Sequence, residues 1–228
     1  MPMNSQFETP HYAEAGIQTR VAFVRAVYLW LFAGFGVALV GALASPFIAQ
    51  GLVNLMGRFF IWALIGAQWG AIFFASAVSR RKPLNILAYG LFTFISGIIA
   101  GVISLVVAQQ SGITIVFAAL GLTGLAFLTL TVTAVVSKKD FSFLRSFVMV
   151  GVAIMFFGSL IAAIFHLPML SMVASAVAVI ACSAKILWDT SAMLRTGDFS
   201  DPAGFALSLF VSLYNIFISL LNLLGRRR

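Results

Sequence analysis

The sequence predicts an all-α fold: a multi-pass transmembrane bundle of seven helices, with the seventh helix at its centre. Of the 228 residues, 62% are hydrophobic and only 9% are charged, and the charged residues stand in short clusters between long uncharged runs. Soluble globular chains carry about 25% charged residues, so this composition excludes a soluble enzyme domain and a disordered segment. Runs of about 20 apolar residues suit membrane helices, whereas barrel strands are about 10 residues long and alternate in polarity.

The uncharged runs set the number of membrane crossings. Five runs of 32, 21, 55, 39 and 24 residues lie between charged residues, and one crossing needs about 20 residues. The two longest runs therefore hold two crossings each, divided at residues 109–112 and 166–168, where glycine or proline ends a helix. The predicted spans are residues 26–45, 59–78, 84–108, 113–136, 147–165, 171–188 and 203–224.

The loop charges predict the orientation. With the N-terminus in the cytoplasm, nine Lys and Arg residues flank the inner helix ends and four flank the outer ends, as the positive-inside rule requires. The chain then divides into a polar cytoplasmic tail (1–25), a transmembrane domain (26–225) and a basic C-terminal tail (226–228). A seventh helix that crosses fully places the basic tail outside, whereas a re-entrant helix returns it; we favour the full crossing.

Two ionisable residues stand inside the apolar part of the sixth helix. Lys185 and Asp189 are four residues apart, so they share a helix face and can form an ion pair. Ionisable groups at membrane depth are costly and usually functional. Two interpretations stay open: a neutralised pair that holds two helices together, and a titratable gate.

The seventh helix carries a polar stripe. Ser208, Ser212, Asn215, Ser219 and Asn222 recur at spacings of 4, 3, 4 and 3, which places them on one helix face. Such a face should contact other helices or water rather than lipid, so we expect this helix at the centre of the bundle. The stripe either supplies hydrogen bonds between helices or lines a polar path.

Two small-residue motifs predict close helix packing. Gly66 and Gly70 are four apart in the second span, and Gly97 and Gly101 are four apart in the third. This spacing puts both glycines of a pair on one face, where the absence of side chains lets another helix approach. We expect both pairs to lie at helix interfaces.

Enzyme chemistry finds no support in the sequence. No catalytic or phosphate-binding motif occurs, and two His and one Cys make a dedicated metal site improbable. We expect no enzymatic activity, no catalytic residue and no bound cofactor. The basic residues border apolar runs, so they predict contact with a lipid bilayer and not with nucleic acid.

Four stretches resemble the Bax inhibitor-1/YccA family, and its YccA branch in particular. They are residues 91–97 in the third span, 138–144 before the fifth, 188–190 at the end of the sixth, and 208–225 in the seventh. The resemblance implies seven helices, with the last wrapped by the other six. It implies a bacterial inner-membrane protein that modulates membrane protein quality control, by binding an FtsH-type protease, or a stress response.

The same resemblance implies an alternative function, a pH-sensitive calcium leak. In that function two carboxylates sense pH, calcium is the transported ion, and a basic residue latches onto the carboxylates. Asp189 matches the first carboxylate and Ser212 falls at the second. Ser79 or Arg80 falls near the latch position, and we expect Arg80 to supply the charge. With one carboxylate missing and Lys185 beside Asp189, we expect Asp189 to be a weak calcium ligand and any leak to be weakened.

Overall fold

The computed structural model describes residues 10–137, 139–195 and 198–226. The rest of the predicted N-terminal tail, residues 1–9, and Arg227 and Arg228 of the C-terminal tail lie outside the described residues. Within them the chain forms seven α-helices and a short 3₁₀ turn. The helices are α1 (Pro10–Met56), α2 (Phe60–Val78), α3 (Leu84–Ser111), α4 (Ile113–Ser137), α5 (Leu144–Ile164), α6 (Pro168–Arg195) and α7 (Pro202–Gly225).

The predicted fold class is confirmed: each predicted span coincides with one helix. Six of the helices are long and apolar enough to cross a membrane, and α2 contributes a shorter apolar stretch, Trp62–Val78. The largest difference is α1, which has 47 residues and continues through Pro46, whereas the sequence predicts a span that ends before this proline. One proline removes only one backbone donor, and the residues after it remain helical.

The start of α1 also differs from the predicted span. Residues 10–25 belong to the helix, although the sequence assigns them to the polar tail. Phe23 of this segment is buried and packs edge-on against Phe199 and Phe205, with ring centroids 5.4 and 5.8 Å apart. These contacts fix α1 to the segment that joins α6 and α7 and to the first turn of α7.

Helix α7 lies at the centre of the bundle, as predicted. From Ala203 to Gly225 none of its residues is exposed, and it packs against α1, α2, α3, α4 and α6. Phe210 anchors it in a cluster of aromatic rings with Phe92 and Tyr89. Helix α5 packs against α6 instead, so five of the six other helices surround α7.

Only one of the two glycine pairs lies at an interface. A Cβ on Gly97 would come within 2.7 Å of Ala38 Cα, and one on Gly101 within 2.8 Å of Ala42 Cα, so α1 and α3 pack backbone to backbone there. A Cβ on Gly66 or Gly70 would meet nothing within 4 Å. The prediction for α2 was wrong because the spacing fixes which residues share a face but not which face meets a neighbour.

Candidate functional site

A groove separates α2 from α6, with α7 as its floor. No Cα atom of α2 lies within 8 Å of one in α6 over the described length of both helices. The groove encloses a cavity of about 450 Å³. Its lining residues are Ile72, Ser76, Ser79, Lys185, Asp189, Asp201, Gly204, Phe205, Leu207, Ser208 and Val211.

At the floor of the groove three polar side chains contact one another. Lys185 Nζ lies 2.7 Å from Asp189 Oδ2 in an ion pair within α6, and it also donates to Ser208 Oγ of α7. The Ser208 hydroxyl lies 2.7 Å from the same Asp189 oxygen. The side chains of Lys185 and Asp189 are 21% and 12% exposed. The ion pair that the spacing permits is therefore formed, and it ties α6 to α7.

A second acidic residue, Asp201, stands at the mouth of the groove. Its Oδ1 accepts a hydrogen bond from the Gly204 amide at 2.8 Å and so caps α7. Its Oδ2 accepts from the Ser79 hydroxyl at 3.1 Å and lies 3.7 Å from Arg80 Nε. Asp201 thereby joins the N-terminus of α7 to the end of α2.

Arg80 contacts the carboxylates of Asp198 and Asp201, whereas the resemblance implies a contact with Asp189. It pairs with Asp198 at 3.2 Å and approaches Asp201, and no contact joins it to Asp189 in the described part of the chain. Arg80 lies beyond the end of α2, and its side chain is 66% exposed. It therefore meets the acidic residues of the loop before α7 and not the carboxylate inside the bundle.

Ser212, at the position of the second carboxylate in the resemblance, takes no part in the groove. Its side chain is fully buried and donates to the Ser208 carbonyl of its own helix at 3.0 Å. A hard divalent cation needs several oxygen ligands, and no cluster of three or more His, Cys, Asp or Glu occurs among the described residues. Weak calcium binding at Asp189 stays a prediction.

The rest of the polar stripe acts at the opposite end of α7. Asn222 Nδ2 donates to Ser175 Oγ at 2.7 Å and to Ser171 Oγ at 2.9 Å, both on α6. Between the two ends, Asn215 donates to the Val211 carbonyl of its own helix, and Ser219 is buried. The stripe supplies bonds between helices at both ends of α7.

The C-terminal end of α7 reaches the loops farthest from the groove. Arg226 Nε donates to Asn222 Oδ1 at 2.8 Å, and its guanidinium also donates to the Pro168 carbonyl at the start of α6. The Ser111 hydroxyl at the end of α3 donates to the Gly225 carbonyl at 2.6 Å. Helix α7 therefore runs the full length of the bundle, as a complete crossing requires.

At the groove end of the bundle, loop carboxylates reinforce the fold. Asp140 pairs with Arg195 at 3.0 Å and ties the α4–α5 loop to α6. Hydrogen bonds from the hydroxyl and amide of Ser142 hold the pKa of Asp140 below its ordinary value. Bonds from Ser200 lower the pKa of Asp198 in the same way.

Sequence reasoning identified Lys185, Asp189 and Ser208, placed Ser79 beside Arg80 near the latch position, and missed Asp201 and Ser76. A signal for Asp201 was present: an aspartate directly before Pro202 and a long apolar run is typical of a helix N-cap followed by proline at the first position. No signal in the sequence indicated that Ser76 and Ser79 line a groove, because only the packing of α2 beside α7 turns them toward it.

These features define the class of protein. The chain has seven apolar helices with charged loops, a central helix and an intramembrane ion pair. It is therefore a multi-pass helical membrane protein whose outer surface contacts the lipid bilayer. The comparisons with known proteins give the family.

The family model described as inhibitor of apoptosis-promoting Bax1 matches residues 20–228. The chain belongs to this family, the Bax inhibitor-1/YccA family. An uncharacterized protein of Campylobacter jejuni is 30% identical over 222 residues, which cover 97% of this chain and 93% of that protein. The Escherichia coli protein named modulator of FtsH protease YccA is 32% identical over 165 residues, or 72% of this chain and 74% of that protein. An uncharacterized membrane protein of Vibrio cholerae is 31% identical over 160 residues, or 70% of this chain and 71% of that protein.

Proposed function

We propose that this protein lies in a bacterial inner membrane with its N-terminus in the cytoplasm. There it binds an FtsH-type membrane protease and modulates degradation of membrane proteins, without being an enzyme itself. The observation that carries the proposal is the 32% identity to the relative named as a modulator of that protease. A relative from Escherichia coli O6:H1 with the same identity of 32% is named inner membrane protein YccA, which supports the location.

The shape of α1 supports a role as a protease partner. Residues 18–22 are all exposed, and five consecutive residues cover every face of a helix. The helix begins at Pro10, so about 20 Å of it precede Phe23 at 1.5 Å per residue. Membrane proteases that pull on a terminal segment require one that extends from the bundle, and residues 10–22 of α1 supply one.

The groove geometry supports this function over a calcium leak. Lys185 places an ammonium against the single carboxylate of the groove floor, and Ser212 is bonded within its own helix. A metal cation that entered would meet the Lys185 ammonium beside the one carboxylate of the floor, Asp189, whose Oδ2 is already paired. We therefore propose no conduction through this site.

Two experiments test the proposal. The purified chain is reconstituted in liposomes with an FtsH-type protease and a membrane-protein substrate, and the rate of substrate degradation is measured with and without it. We expect the chain to co-purify with the protease and to slow degradation. In cells, deletion of residues 1–15 should lengthen the half-life of this chain, because the projecting segment is lost.

A variant that carries residues 1–15 in scrambled order is the matched control for the deletion. It keeps the length and composition of the segment, so it should retain the wild-type half-life if the protease needs only a segment to pull. The proposal fails if the chain neither binds the protease nor changes the degradation rate. An unchanged half-life that is also independent of the protease counts against the role of the segment.

A further inference from the structure

The groove between α2 and α6 is open rather than enclosed, and its α2 side carries the exposed Ser76. Trp69 of α2 meets Phe156 of α5, with ring centroids 4.7 Å apart, so aromatic side chains bridge the gap at that depth. One turn closer to the loops the bridge ends, and Ile72, Ser76 and Ser79 line the cavity. Phe73 and Phe74 in this part of α2 are exposed, so the groove lies within the lipid-facing length of the bundle, toward the end where Asp201 and Arg80 lie.

The cavity is amphipathic. Ile72, Phe205, Leu207 and Val211 form apolar walls, and hydroxyl and charged groups form the floor and mouth. Ser76 is exposed and is one of two polar side chains in α2, the other being Gln68, so it keeps a polar group on the groove side of α2. A volume of about 450 Å³ is typical of sites that hold a small molecule or part of a lipid.

The floor of the groove has one hydrogen-bond donor and one acceptor without a hydrogen-bond partner among the described residues. An ammonium has three N–H donors, and Lys185 uses two of them on Asp189 and Ser208 among the described residues. Asp189 Oδ1 accepts no hydrogen bond from any described residue, since both contacts go to Oδ2. Lys185 Nζ also lies 5.8 Å from the centroid of the Trp188 ring. One N–H donor of the ammonium and one carboxylate oxygen therefore make no hydrogen bond within the described part of the chain.

The charges select the ligand. The lining carries one lysine and two aspartates, so a purely anionic group meets net repulsion, and a group with both charges meets a partner for each. An amine that carries N–H donors suits the free carboxylate oxygen. A quaternary amine has no such donor and needs an aromatic cage, whereas Phe205 is the one aromatic residue in the described lining.

We propose that this groove binds a phospholipid with a phosphoethanolamine headgroup. The amine donates to Asp189 Oδ1, the phosphate accepts from Lys185, and the first segments of the acyl chains contact Ile72 and Phe205. This site is independent of the proposed protease binding.

Native mass spectrometry of the delipidated full chain in detergent tests the proposal. Palmitoyl-oleoyl phosphatidylethanolamine, phosphatidylcholine and phosphatidylglycerol are added separately at equal concentration, and the fraction of lipid-bound protein is measured. We expect the ethanolamine lipid to bind about tenfold more tightly than the other two, the effect of one charge-assisted hydrogen bond. Equal binding of the three lipids overturns the proposal.

Variants locate the site. Ser76→Trp fills the cavity from an exposed position and should abolish the preference, while Ala77→Trp, one residue along the same helix and also exposed, should keep it. Lys185→Met should bind about tenfold more weakly, and Lys82→Gln, which removes an exposed charge from the loop after α2, should not. If Lys185→Met fails to fold, the comparison of Ser76→Trp with Ala77→Trp decides whether the groove is the site. Equal binding of the ethanolamine lipid by these two variants rejects it.

Soluble phosphoethanolamine distinguishes a lipid from a free solute. Because the apolar walls contribute to the affinity only when acyl chains are attached, the free headgroup should not displace the lipid when both are at equal concentration. Displacement by the free headgroup would make the ligand a soluble amine phosphate and overturn the assignment to a lipid.

Discussion

The ion pair at the groove floor can be tested by a double-mutant cycle. Lys185→Met keeps the length of the side chain and removes the ammonium, which leaves the Asp189 carboxylate with the Ser208 hydroxyl alone. Loss of one partner from a fully buried pair costs about 3–5 kcal/mol, and exposed pairs contribute about 0–1 kcal/mol. Exposures of 21% and 12% place this pair between the two limits, so we expect a loss of about 2 kcal/mol.

Asp189→Asn should cost a similar amount, because it leaves the ammonium without its counter-charge. The double variant should lose less than the sum of the two single losses, with a coupling free energy of about 2 kcal/mol, as expected for residues in direct contact. The free energy of unfolding is measured by titration with sodium dodecyl sulfate in mixed micelles.

Arg80→Met is the control for this cycle. Arg80 is 66% exposed and pairs with Asp198 in the solvent-exposed loop region, so its loss should be clearly smaller than that of Lys185→Met. Additive losses in the double variant, or equal losses for Arg80→Met and Lys185→Met, would refute the argument that the groove ion pair contributes to stability through its burial.

Two further predictions concern packing and pH. Gly97→Ala should destabilise the fold by about 1–3 kcal/mol, because the methyl group overlaps the α1 backbone; Gly66→Ala, with free space around it, should be neutral or stabilising by up to about 1 kcal/mol in the same titration. For Asp140, whose pKa is lowered in the folded state, the stabilising contribution is complete above about pH 4 and is lost as the pH falls below it. The difference in unfolding midpoint between the wild type and Asp140→Asn should therefore be present at neutral pH and vanish in acid; a difference that grows in acid would contradict the sign.

Some features followed from local spacing. The number of crossings came from the lengths of uncharged runs, and the pairing of Lys185 with Asp189 came from a separation of four residues on one helix. The central position of α7 followed from the period of its polar residues, since a polar stripe has no favourable contact with lipid. Each of these inferences needs only the geometry of a single helix.

Other features depended on which helices meet. The helical period put Gly66 and Gly70 on one face of α2, and Gly97 and Gly101 on one face of α3. Only the pair in α3 contacts another helix. Arg80 is many residues away from Asp198 and Asp201 in sequence, and the contact forms because the loop after α2 meets the start of α7. Neither outcome is contained in the spacing of residues within one element.

The sequence by itself determined an all-helical membrane protein, its seven helices, the central helix and the intramembrane ion pair, because hydrophobicity and helical periodicity are local properties of the chain. Only the tertiary structure decided that α2 stands apart from α6, and that the resulting groove brings Ser76, Ser79 and Asp201 toward Lys185 and Asp189. The physical reason is that a membrane-spanning helix finds nearly equal hydrophobic surroundings against lipid or against another helix, so the complementarity of surfaces distant in sequence selects its neighbours.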